Sequence, residues 1–418
     1  MEYVPVIVTY YRNVLAFLAV TVFCTGWSNY QSEAYPGFGQ PKDWILGLSL
    51  LSLPLWFFNP RFKQDFLKVP LVLWCFGFIF VGMLWFLGSS QSEIAWREAR
   101  GRLSAVMLML SCLMIFASPS AVRSARWAVV FAVLLGTALN IYEFFVPMTF
   151  SIVHGRSAGL FVNSNISGEA LVLGMILGMT VLPLFWRAPF LLVTGIGIFV
   201  TFSRGGIGAW VIAVSGLLFF TKGVRAKDLL WTLLLSLFAV CIFLLPKLDA
   251  ILMTMDRAGV INKNTEERLA WLTNPSGVSD DSSWSRMYVA QQAWAKFADQ
   301  PWVGSGTGTF REAFEIAPHN QYLSYMLDHG VLGATIVPLL ILALIWGARG
   351  ETRRVGFIFG TSVLWLSFFT HMILTYGHSL VLFALLAAMI ATEPFPAPMA
   401  TQAKMEGERA LGKAAARA

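Results

Sequence analysis

His319 and Asn320 stand directly ahead of a long apolar run, Val331 to Trp346, in the stretch PHNQYLSYMLDHGVLG. An imidazole with an ordinary pKa near ~6.5 can accept a proton from an attacking hydroxyl at neutral pH, an effect worth about 10²–10⁴ in rate. Three other stretches gather arginine. WREARGR holds Arg97, Arg100 and Arg102; HGRSAGLFVNSNISGEAL holds Arg156 with Asn163 and Asn165; TFSRGG holds Arg204. A fifth stretch, SWSRMYVAQQAWAKFADQP, carries Arg286 near its start. A guanidinium presents a planar fork of donors that matches phosphate oxygens in a bidentate pair. Several converging on a diphosphate would stabilise the charge it gathers as its bond to a sugar breaks, at about 3–4 kcal/mol for each donor. Each residue alone also has a plainer use: an interfacial arginine contacts lipid headgroups, and a histidine at a helix start caps it.

The carboxylates add little. Asp249, Asp256, Glu266, Glu267, Asp280 and Asp281 lie between the ninth and tenth apolar runs, with no Asp-x-Asp pair and no His/Glu cluster at metal-ligand spacing. No metal is expected. Asp328 is nine residues beyond His319, half a circle round an ideal helix, so it is poorly placed to orient that imidazole. Asp328 and His329 read as polar contacts inside a helix, and His154, His371 and His378 as interfacial groups.

The elements that must position these residues follow from composition. Of 418 residues, 57% are hydrophobic and 13% charged, about half the charge of a soluble chain. Apolar runs near 20 residues recur throughout, which selects membrane helices over a barrel. Twelve spans are expected: 6–26, 43–59, 69–88, 103–117, 125–146, 165–183, 188–203, 205–221, 228–247, 320–347, 355–375 and 377–393. One set of connections and the tail carry sixteen Lys and Arg, while the opposite short loops carry six, namely Lys42, Arg97, Arg100, Arg102, Arg156 and Arg204. The positive-inside rule then sets both termini in the cytoplasm and the His319 stretch outside.

The domain division reads as spans one to nine over 1–247, an outer loop over 248–318, spans ten to twelve over 319–393 and a cytoplasmic tail over 394–418. A loop that long tends to be functional. Within it Ser283 or Ser285 can cap a helix ending before Pro301, and Met287, Ala290, Trp294 and Ala298 form an apolar stripe suited to packing or to roofing a cavity. PWVGSGTGTF follows, with glycine at 304, 306 and 308 but no Walker lysine, so its amides suit an anion near a helix start and not a nucleotide. Gly174, Gly178, Gly195 and Gly197 permit close helix contact. Cys24, Cys75, Cys112 and Cys241 fall inside spans and read as inert core residues. The first span lacks a basic leader and a small-residue cleavage site, so it is expected to be retained.

SRMYVAQQAWAKFADQPWVGSGTGTF followed by HNQYLSYMLDHGVLG resembles the signature of the O-antigen ligase and polymerase superfamily: an Arg opening an outer-loop helix, a Pro-x-x-Gly-x-Gly turn, then His-Asn at a membrane helix. GRSAGLFVNSNISGEAL is similar to its Gly-x-Phe-x-Asn-x-Asn stretch and SRGG to its Ser-Arg-Gly turn. The resemblance implies an all-α polytopic, GT-C-like glycosyltransferase of the bacterial inner membrane. Its donor would be a glycan on undecaprenyl pyrophosphate and its acceptor, in the ligase, a sugar hydroxyl of lipid A-core, with transfer at the periplasmic face. Membrane lipids would surround it; no cofactor, metal, nucleotide or nucleic acid is implied. Carried onto this chain, Arg204 and Arg286 would grip the pyrophosphate and His319 would activate or position the acceptor hydroxyl, with inversion at the anomeric carbon. Arg156, Asn163, Asn165, Asn320 and the arginines at 97, 100 and 102 would contact substrate. O-antigen polymerase and protein O-oligosaccharyltransferase share these motifs; the moderate outer loop and short basic tail favour ligase. A lipid-linked glycan transporter is the alternative of another class, although its charges would sit at mid-membrane depth, whereas these crowd the outer ends.

Overall fold

A computed structural model describes residues 6–58, 66–153, 155–243, 253 and 281–392. His154, Asp249, the acidic residues from 256 to 280 and the basic tail lie outside them, and of Asp281 only the backbone is described. Every regular element among the described residues is helical. In chain order these are α1 (Val6–Cys24), α2 (Trp27–Ala34), α3 (Pro41–Phe57), α4 (Pro70–Leu87), α5 (Glu93–Ile115), α6 (Pro119–Phe145), α7 (Ser164–Gly178), α8 (Leu184–Phe199), α9 (Arg204–Phe220) and α10 (Ala226–Phe243). Then follow α11 (Asp281–Asp299), α12 (Thr309–Glu312), α13 (Gln321–His329), α14 (Ile336–Ile345), α15 (Gly350–Leu366) and α16 (Gly377–Ala391).

Each of the twelve expected spans overlies helix. By length and composition five stretches among the described residues can cross a membrane: Val6–Cys24, Pro70–Leu87, Pro119–Phe145, Ser164–Val181 and Gln321–Ile345. Leu184–Phe199, Arg204–Phe220 and Gly377–Ala391 are apolar but shorter. The chain is thus helical among the described residues, with segments long and apolar enough to cross a membrane. At its centre lie α7 and α16: every residue of α7 but Asn165 is buried, and so is α16 from His378 to Ala388. Around them α1 packs on α6, α6 on α7, α5 on α16, and α9 on both α7 and α15. Glycine makes the closest approaches possible. A Cβ on Gly174 would meet Val133 at 2.7 Å, and one on Gly197 would meet Thr137 at 2.8 Å.

Three expected boundaries move, each for a local reason. Ser92 caps α5 by accepting from the Ala95 amide at 3.1 Å, so the helix starts ten residues before the expected span and carries Arg97, Arg100 and Arg102 on its own surface. The expected span 320–347 is broken. Gly330 adopts φ 63° at the end of α13, a 3₁₀ stretch runs over Gly330–Thr335, and only then does α14 begin. The third, 355–375, stops being helix at Leu366, leaving residues 367–376 as a connection. The outer helix also starts earlier than either serine cap, at Asp281, and Trp294 of its apolar stripe is exposed. Cys24, Cys75 and Cys112 are buried as expected, whereas Cys241 is exposed on α10.

The glycine turn explains the break. Ser305 and Gly306 donate from their amides to the carbonyls of Leu327 and Asp328, and Val331 donates to Pro301. Gly304, at φ 73°, lies so close that a Cβ would sit 2.4 Å from the Gly330 nitrogen. Two backbones thus interlock through glycine, and the end of α13 is pinned to the segment leaving α11. Beneath α11, Ala293, Phe310, Leu323 and Leu327 form a small apolar cluster joined by Ala290 and Phe297. That cluster seats α11 on α13 and carries its second turn, with Arg286, over the starts of the inner helices.

Candidate active site

Three helices begin at one place, and the residues before their first turns are side-chain caps. Asn163 accepts from the Asn165 amide ahead of α7, Ser203 from the Gly206 amide ahead of α9, and Asn320 from the Leu323 amide ahead of α13. Helix starts concentrate amide donors and the positive end of the helix dipole, which favours a bound anion. Between these starts, the first turns of α11 and the connection after α15 lies a cavity of about 280 Å³. Its wall includes Asn165, Glu169, Ser203, Arg204, Gly205, Gly206, Arg286, Met287, Ala290, His319, Asn320, Phe368, Phe369 and Thr370. Arg204, Arg286 and His319, far apart in the chain, therefore share one hollow. A larger groove of about 390 Å³ between α1 and α3 is lined by apolar side chains with Asp43 as its one charge, and it offers nothing to grip a phosphate.

The walls are held by backbone hydrogen bonds to polar side chains. Gln321 donates from its amide to the Ser367 carbonyl at 2.7 Å and accepts from the Ile373 amide at 3.1 Å through Oε1, which fixes the 367–376 connection against the start of α13. Trp365 Nε1 donates to the Gly205 carbonyl at 3.1 Å, tying α15 to the start of α9. Arg156 is buried behind the cavity: its Nε donates to the Thr201 carbonyl at 3.1 Å and its Nη2 to Asn165 Oδ1 at 2.8 Å. Asn165 is thereby held on the cavity wall. The loop that delivers Arg156 is organised by Glu143, a buried carboxylate accepting from the amides of Phe150 (2.8 Å), Ser151, Ala158 (2.6 Å) and Gly159 (2.9 Å).

His319 is not alone. The His371 ring lies beside it, with centroids 5.3 Å apart and an interplanar angle of 64°. Burial, reinforced by Arg286, pulls the His319 imidazole down to about 4; burial, then His319 and Arg311, pulls His371 down to about 3. Both rings are neutral at physiological pH, so each can accept a hydrogen bond from a hydroxyl. Nδ1 of His371 is buried and makes no hydrogen bond among the described residues.

Other candidates fall elsewhere. Arg97 and Arg100 are exposed on α5, and Arg100 pairs with Glu93 at 2.7 Å on the open surface. Asn163 acts as a cap and does not line the cavity. Arg102 is also absent from the wall. Its guanidinium is buried against Asp328 Oδ2 (Nη2, 2.7 Å) and His329 Nε2 (Nη1, 2.7 Å), and it lies over the Tyr325 ring. Asp328 in turn accepts from the amides of Gly308 (3.1 Å) and Phe310 (3.3 Å). The anion expected at the glycine turn is therefore the chain's own Asp328.

Sequence reasoning missed Glu169 and misplaced two histidines. His378, read as interfacial, is 2% exposed on α16, and His371 belongs beside His319. The available signal was a lone glutamate inside an apolar helix, a costly placement that calls for a partner. Among the described residues no group of three or more His, Cys, Asp or Glu is arranged to hold a metal ion.

Residues 189–338 match the family model described as Wzy_C, O-antigen ligase, which supports the O-antigen ligase and polymerase superfamily for this chain. The matched segment contains Arg204, Arg286 and His319 and ends before His371. No curated protein matches the chain significantly.

Proposed function

We propose that this member of the O-antigen ligase and polymerase superfamily is an inverting, metal-independent ligase. It moves an O-antigen glycan from undecaprenyl pyrophosphate to a sugar hydroxyl of lipid A-core, at the periplasmic face of the bacterial inner membrane. The twelve-span, GT-C-like arrangement with both termini cytoplasmic belongs to the same proposal. One observation carries it: Arg204, Arg286 and His319 line a single cavity at the starts of α9, α11 and α13. Its volume is near the lower end of ligand cavities, ~300–1,000 Å³, which suits the reacting diphosphate and sugar while the rest of both chains lies outside.

In this reading the diphosphate lies against Arg204, Arg286 and the first turn of α9. The acceptor oxygen forms its bond to the anomeric carbon as the bond from that carbon to the phosphate oxygen breaks, and the electron pair leaves with the diphosphate. Fixed guanidinium groups stabilise that charge without reorganising, which is where such sites gain most of their rate. His319, neutral and half-buried, positions the acceptor hydroxyl through a hydrogen bond. Arg156 and Asn165 brace the wall behind.

The test is purified protein with lipid-pyrophosphate glycan and lipid A-core, without added metal or ATP. One glycan on each core supports ligase. Growth of the lipid-linked glycan without core identifies a polymerase, capture by a protein acceptor an oligosaccharyltransferase, and movement without transfer a transporter. Arg204→Ala, Arg286→Ala and His319→Ala should each lower turnover about 10²–10³-fold while the protein still inserts. Full activity in any one removes that residue from the mechanism.

A further inference from the structure

Glu169 faces the same cavity from the first half of α7 and is 2% exposed. Its Oε1 accepts from Ser379 Oγ at 2.9 Å and lies 3.2 Å from His378 Nε2, both in the first turn of α16. The His378 ring is itself held, stacked on Tyr376 at 5.9 Å and 19° and met edge-on by Phe161 at 5.3 Å. Among the described residues no donor reaches Oε2 of Glu169. The backbone beside it is locked as well: a Cβ on Gly168 would come within 3.1 Å of Ser203, so the carboxylate is fixed next to the turn that presents Arg204.

A buried carboxylate on a cavity wall, with one oxygen committed and the other without a donor, is costly until a donor arrives. Phosphate oxygens cannot supply one, but a sugar hydroxyl can. We propose that Glu169 is the catalytic base of the transfer: Oε2 takes the proton of the attacking sugar hydroxyl while the ring N–H of neutral His319 donates to that hydroxyl's oxygen and holds it in line. This rests on the glycosyl-transfer reading and assigns its proton. The bond formed joins the acceptor oxygen to the anomeric carbon, and the bond broken joins that carbon to the diphosphate oxygen. The proton moves from hydroxyl to Glu169, and the electron pair departs on the diphosphate. His378 and Ser379 are positioning residues, which hold Oε1 so that Oε2 stays aimed at the acceptor.

The competing role for this carboxylate is a counter-charge to Arg204 and Arg286; Glu169→Gln keeps the shape and removes both the basicity and the charge, so kcat is read beside donor binding, and Glu169→Asp, which keeps the charge, separates the two roles. As base, its loss lowers kcat about 10²–10⁴-fold in the lipid A-core assay. Binding of undecaprenyl pyrophosphate, measured on the same preparation, stays as tight as in wild type or tightens. A kcat within threefold of wild type overturns the proposal, and so does loss of both turnover and binding, which marks a structural role. Glu169→Asp keeps the charge but withdraws the oxygen by one methylene, and it also serves should Glu169→Gln fail to fold. Donor binding is then retained and kcat falls at least tenfold; an unchanged kcat overturns the base. Wild-type protein that binds donor yet transfers to no acceptor sinks the glycosyl-transfer reading and this inference with it, whereas an active wild type with an active Glu169→Gln sinks the inference alone.

Discussion

Removing the Asp328 carboxylate should unlock the glycine turn from α13 and destabilise the packing of α11 and α12 on α13. Asp328 is fully buried, and Arg102, its ionic partner at 2.7 Å, has a side chain only 4% exposed. All three groups that reach the carboxylate are donors: Arg102 Nη2 and Gly308 N on Oδ2, and Phe310 N on Oδ1. Asp328→Ala leaves a buried guanidinium without its main counter-charge, a change that costs about 3–5 kcal/mol. Asp328→Asn is milder. Its amide oxygen can occupy the Oδ2 position and keep two of the donors, and its NH₂ then faces the Phe310 amide, so roughly 1–3 kcal/mol is lost. The assay is denaturant titration of the purified protein in detergent, followed by tryptophan fluorescence, on wild type, both variants, Asp328→Leu, Arg102→Met and the double variant Arg102→Met/Asp328→Leu. Replacing the pair together by apolar groups should recover much of the loss, since no charge is then stranded. An Asp328→Ala protein within about 1 kcal/mol of wild type, or a double variant as unstable as the sum of its parts, refutes the clamp.

Because the His319 imidazole is pulled from 6.5 down to about 4, the folded protein takes up this proton less readily than the unfolded chain. Stability is therefore complete above about pH 6.5, falls as pH drops from there toward about 4, and levels off below for this group. The acid limb of kcat/KM should lie nearer pH 4 than pH 6.5, and a limb at 6.5 in a pH–rate profile would show an ordinary, solvated histidine. Gly330→Ala forces a side chain onto φ 63° with its Cβ 2.4 Å from the Trp302 carbonyl carbon, so it should lower the thermal midpoint sharply. Gly101→Ala, with nothing within 4 Å, should leave the midpoint unchanged or raise it; equal midpoints for the two variants would contradict the interlock.

Much of this protein follows from rules that act within a few residues. Apolar runs of membrane length gave the helices, whereas Asn163 and Asn320, read as substrate contacts, and Ser203 turn out to cap three of them, although a cap bonds amides only two or three positions on. Cations and imidazoles at helix ends stood out against an apolar chain, and the family resemblance set Arg204, Arg286 and His319 apart among them. Folding alone decided which of the conspicuous charges face the cavity. Arg102 looked like Arg97 and Arg100 in the sequence, yet its partners Asp328 and His329 lie 226 and 227 positions away, and they bury it. Glu169 and His378 are 209 residues apart, and the pair is made only when α7 and α16 meet at the centre of the bundle. A buried charge is defined by whatever packing sets against it, and in a helical bundle those neighbours come from other helices at no fixed spacing along the chain.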